Sequence, residues 1–127
     1  MALATLIATD ETTVSREGIT VTIADSGTTA EETRTLNGLL TRLIVEVPAL
    51  TGTTTVTVNV LDEDDNVYYT EAAVAEGATT VFNLRTSGGS NISEVQPLCG
   101  MVTFEVIATN SQTGAKEIVL TPYVEKR

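Results

Sequence analysis

The chain has 127 residues and a formal net charge of −10, from seven basic and seventeen acidic side chains, with a pI near 4.2. Such a surface repels phosphate backbones and anionic lipid, which argues against nucleic acid or a membrane surface as partner. Histidine is absent and cysteine occurs once, which removes imidazole-dependent nucleophiles, most zinc sites and an intrachain disulfide.

Hydrophobic residues make up 42% of the chain but aromatics only 4%. A core must therefore be built from Val, Ile, Leu and Ala, with Phe82, Phe104 and the tyrosines as its few large pieces. About a fifth of the chain is threonine, and β-branched residues suit pleated strands better than helices. The length fits one domain over residues 1–127, with residues 1–10 a first strand or an N-terminal arm. That opening stretch carries no basic residue before Arg16. It does not read as a secretory signal, and no apolar run approaches the ~20 residues of a membrane span. A β-rich chain without export signal or disulfides suits a protein made in the cytosol and released inside a particle.

In chain order, residues 18–24 alternate, with Ile19, Val21 and Ile23 on one face and threonines on the other, the period of a half-buried strand. Residues 25–29 read as a turn and residues 30–36 (A-E-E-T-R-T-L) as a loop or one helical turn. Residues 39–47 give the strongest strand, with Leu39, Leu43, Val45 and Val47 on one face and Leu40, Arg42, Ile44 and Glu46 on the other. Pro48 ends it. Residues 54–61 and 66–74 flank an acidic tip, and Gly77 turns the chain into residues 78–84. Residues 85–100 show no periodicity, and a connection of that length is often functional. Residues 101–109 resume with Val102, Phe104 and Val106 inward. Residues 116–124 form the last strand, where Pro122 predicts an edge. The expected fold class is all-β: a single antiparallel β-sandwich or Greek-key barrel of seven or eight short strands.

Chemistry has few places to sit. Cys99 has no imidazole partner and reads as a small buried or loop hydrophobe. Gly88 and Gly89 lack the spacing of a phosphate loop, and Lys116 beside Glu117 reads as a solvated charge. Asp62, Asp64 and Asn66 stand at the spacing of half a calcium loop, with Glu71 available as a further ligand. However, Val67 and Ala73 occupy positions where a helix-loop-helix calcium site needs glycine and glutamate. The run Asp62, Glu63, Asp64, Asp65, Asn66 between two alternating segments reads best as a hairpin tip whose charges discourage edge pairing. No catalytic, cofactor or metal residue is assigned, and the expectation is that the chain is not an enzyme and needs no cofactor.

The stretch "LLTRLIVEVPALTGTTTVTVNVLDEDDNVYYTEAAVAEGATTVFNL" resembles small β-rich virion proteins of tailed bacteriophages, and "MVTFEVIATNSQTGAKEIVLTPYVEK" is similar to their final hairpin. The resemblance is to head decoration (auxiliary or cement) proteins. It implies a structural, non-enzymatic protein on the capsid surface of a virion assembled in the host cytoplasm. The implied partners are the major capsid protein and further copies of the chain, as a homo-oligomer, a trimer by resemblance. Contacts would come from the N-terminal arm, residues 2–10, and the loop 85–100. The alternatives are a tail or fibre subunit, or an immunoglobulin-like or carbohydrate-binding sandwich with calcium at residues 62–66.

Overall fold

Alternation of β-branched and polar residues builds eight strands and no helix among the described residues, 14–84 and 96–125 of the computed structural model. They are β1 (Val14–Arg16), β2 (Ile19–Ile23), β3 (Thr29–Val47), β4 (Thr55–Leu61), β5 (Val67–Ala75), β6 (Ala78–Asn83), β7 (Gln96–Ala108) and β8 (Lys116–Glu125). All pairings are antiparallel. The expected N-terminal arm and the Gly88, Gly89 pair lie outside the described residues.

The organising element is β3, a strand of 19 residues that serves two sheets. Its first half pairs with β7, from Thr29 opposite Ile107 to Leu40 opposite Gln96. Its second half pairs with β8 on one side and β6 on the other. One sheet therefore runs β2–β8–β3–β6, with β1 extending β2 along β8, and the other runs β3–β7–β4–β5. Both turn apolar faces to one core. Ile19, Val21 and Ile23 of β2 and Ile118 and Leu120 of β8 meet Val56, Val58 and Val60 of β4 and Val102, Phe104 and Val106 of β7. This strand order is the two-sheet connectivity of a jelly roll, with two of its strands fused into β3.

Several sequence expectations are corrected. Residues 30–36 are neither loop nor helical turn but part of β3. Ala30, Glu32, Arg34 and Leu36 alternate with exposed Thr29, Glu31, Thr33 and Thr35, and pairing with β7 overrides the helix leaning of Ala and Glu. In the second half of β3, Leu40 is buried with Leu43, Val45 and Val47, because a bulge at Thr41 shifts the register between Leu40 and Arg42. An extra residue reverses the alternation on one side of it. The connection before β7 is shorter than expected, since residues 96–100 already pair with β3. β3 and β7 are long strands, not short ones. Pro122 is buried in the interior strand β8, opposite Leu43. It is tolerated there because β1 and β2 leave Glu17 and Gly18 unpaired between them, opposite Thr121 and Pro122. A residue without an N–H fits such a gap in the ladder.

Four connections meet at one end of the sandwich: β2–β3, β3–β4, β5–β6 and β7–β8. Gln112, only 2% exposed, ties three of them. Its backbone N–H donates to Gly27 O at 3.1 Å and its carbonyl accepts from Ser26 N at 2.7 Å. Its side-chain Oε1 accepts from Thr51 N at 2.8 Å while Nε2 donates to Asn110 O at 2.8 Å. Glu76 fastens the fourth, accepting from Leu50 N at 3.0 Å and Thr54 N at 2.9 Å. These bonds, that from Thr54 foremost, hold its carboxyl below the ordinary glutamate value.

Three measurements test this account. Gly38 has φ +142, and a Cβ there would lie 2.5 Å from Glu125 O and 2.9 Å from Val124 Cγ1. Gly38→Ala is expected to cost about 2 kcal/mol or more in denaturant unfolding. Gln112→Ala, which strands the Thr51 N–H, should cost about 1–3 kcal/mol in the same assay. Because the Glu76 pKa is depressed on folding, its contribution is complete above about pH 5 and is lost on acidification through the folded-state value. The melting temperature should therefore fall below about pH 4 more steeply in the native chain than in Glu76→Gln.

Candidate functional site

At the open end the β4–β5 hairpin turns through residues 62–66. Asp62 organises it: Oδ1 accepts from Asp64 N at 2.9 Å and Asn66 N at 2.8 Å, and Oδ2 accepts from Asn66 Nδ2 at 3.1 Å. The backbone closes the turn through Asp62 N to Asn66 O and Asp65 N to Asp62 O, with Asp65 in the left-handed region at φ 64. Asp and Asn tolerate that conformation. The Asn66 backbone bond is the largest influence lowering the Asp62 pKa. The expected hairpin tip is what the structure holds. The carboxylate that would head a calcium loop is engaged by the turn itself. Glu71, the further ligand weighed for that loop, instead accepts a hydrogen bond from Tyr69 Oη. Among the described residues, no group of three acidic or cysteine side chains is placed to hold a metal ion.

Cys99 is corrected on both counts: it is exposed, and it lies on β7 opposite Asn37, neither in a loop nor in the core. Tyr68 stands near it and near the hairpin. Burial first, then neighbouring negative charge, that of Asp62 foremost, raises its phenol above the ordinary value. Lys116 opens β8, opposite Ile23. The part of the 85–100 loop expected to make contacts lies outside the described residues up to residue 95.

Two surfaces of the β2–β8–β3–β6 sheet escaped the sequence reading. The first is the edge. β6 pairs with β3 through Ala78 to Asn83 and with no described strand on its other side. Its sequence, A-T-T-V-F-N, has no charge and no proline, and Val81 is 47% exposed. The edges of the other sheet are guarded, whereas β2, I-T-V-T-I at the opposite edge of this sheet, is uncharged like β6. The first half of β3 carries Glu31, Glu32 and Arg34, and β5 carries Glu71 and register shifts around Val58. An unguarded edge is a template for a further strand.

The second surface is a 560 Å³ cleft lined by Val14, Arg16, Thr41, Arg42, Asn83 and Tyr123 among others. The register places Arg16, Tyr123, Arg42 and Asn83 in one row across four strands. Arg42 Nε donates to Asn83 Oδ1 at 2.8 Å, and its guanidinium lies 5.3 Å from the Tyr123 ring centre. Stacking on an aromatic face suits guanidinium better than ammonium. The row depends on three strand pairings far apart in sequence, so no local motif announces it.

The hairpin reading has a direct check. Millimolar calcium followed by excess chelator is expected to leave the melting temperature unchanged, and Asp62→Ala to lower it in both conditions. A calcium-dependent rise in the native chain that is lost in Asp62→Ala would mark an ion site instead.

No family model matches the chain, and no curated protein matches it. Solved structures similar to it include one described as "CBM4 structure and function", at 13% identity and TM-score 0.44, covering 92% of this chain and 76% of that one. Another is the VP2 subviral particle of infectious bursal disease virus, at 14% identity and TM-score 0.38, covering 89% of this chain. A third, the Gx strain of that virus, stands at 12% identity and TM-score 0.37, covering 91%. The chain spans 33% of the length of each of these two viral chains. At this overlap the likenesses assign no function.

Proposed function

We propose that this β-sandwich works by adhesion, as a structural component of a virion, and specifically as a decoration protein bound to the outside of a phage head. The observation that carries adhesion is the uncharged β6 edge with Val81 exposed along it, in contrast to the charged or register-shifted edges of the β3–β7–β4–β5 sheet. The virion setting rests on the resemblance of residues 39–84 and 101–126 to phage head decoration proteins. A jelly roll is a frequent choice for capsid and lectin domains alike, so fold supports the class and leaves the choice to surface chemistry. A sugar platform needs exposed rings. Of the five aromatic residues, Tyr69 and Phe104 are buried and Tyr68, Phe82 and Tyr123 are half-buried. That composition favours a protein partner.

Binding would act by mass action, stabilising a shell whose assembled lattice it prefers over free subunits. The acidic surface would be tolerated outside the shell and poorly matched to packaged DNA. The test is thermal disassembly of undecorated phage heads with and without the purified chain. Bound chain and a raised disassembly temperature are expected, and the exposed double variant Thr79→Lys with Val81→Lys should abolish both while keeping its own melting curve. Failure of the native chain to bind, or unchanged binding by the lysine variant, would overturn the reading.

A further inference from the structure

The cleft beside Tyr123 is at odds with the rest of the surface. In a chain of net charge −10, Arg16 and Arg42 line one depression, and neither forms an ion pair among the described residues. The one ion pair found among those residues is Arg34 with Glu32, elsewhere on β3. Glu125 stands in register with Val14 at the rim. Arg42 gives Nε to Asn83, and its terminal nitrogens have no partner among the described residues. A concave site with two guanidinium groups, Thr41 and Asn83 is suited to carboxylates, because the guanidinium fork matches the two oxygens of an acid.

The hairpin tip offers the complement. Asp62 is committed to the turn, but the exposed carboxylates of Asp64 and Asp65 accept no hydrogen bond among the described residues. The tip projects from the β3–β7–β4–β5 sheet, whereas the cleft opens on the outer face of the other sheet. Among the described residues, no hydrogen bond or ion pair joins the tip to its own cleft, and the two stand on different sheets.

We infer that the Arg16–Arg42–Tyr123 cleft receives the Asp64–Asp65 hairpin tip of a second copy of this chain. The two patches differ, so the contact is heterologous and propagates from copy to copy, closing into a ring where the rotation permits. It does not depend on the identity of the outer partner: head binding through β6 and self-association through the cleft fail separately.

The test is sedimentation of the purified chain and two variants, Arg42→Glu and the double variant Asp64→Lys with Asp65→Lys, each checked for a native melting curve. The native chain should associate with rising concentration. Each variant alone should weaken association on the order of tenfold or more, the scale of a lost close charge pair. Mixed one to one, they should associate again, since one supplies an intact tip and the other an intact cleft. A native chain that stays monomeric, a variant that associates like the native chain, or a mixture that stays monomeric would each overturn the inference.

Discussion

The structure depends on one strand changing sheets without a break. β3 must leave β7 and join β8 and β6 within a few residues, and two devices make that turn. Gly38 takes φ +142 where a Cβ would run into the Glu125 carbonyl, and Thr41 is inserted as a bulge three residues later. Glycine supplies the conformation and the space, and the bulge adds local twist. Both lie where β3 hands its pairing from one partner to the next. Everything the two sheets bury against each other, from Phe104 to Ile118, presupposes that bend.

The ends of the sandwich divide the labour. At one, Gln112 and Glu76 satisfy the backbone of the connecting loops from within, so those loops are held by polar groups that are themselves hydrogen-bonded. At the other, the tip uses a single aspartate to hold its own shape and presents the remaining acids outward. The arginine row borders that second end because it lies where β3 enters its second sheet.

Fold class and most strands were legible in the sequence, because period-two alternation in segments such as 19–23 and 101–108 reports burial on one face directly. The hairpin was legible for the same reason, with Asp and Asn marking its turn. What stayed hidden was non-local. Residues 30–36 have weak strand composition and are extended because β7 pairs with them. Pro122 reads as an edge signal until the gap between β1 and β2 is seen. Gln112 looks like any turn residue; nothing local says that its amide closes another loop. The arginine row is a product of register alone, and the lack of a described strand beyond β6 is a property of its neighbours.

The flank of β6 that no described strand covers has a practical consequence for handling the molecule. Without a charge of its own, that ribbon relies on the repulsion of ten net negative charges to oppose stacking on its like. Such protection extends only about 8 Å at physiological salt and vanishes as the pH nears 4.2. Concentrated stocks in strong brine or mildly acidic buffer are therefore the ones in which ordered aggregates are expected to nucleate first, with lysine introduced along that ribbon as the remedy.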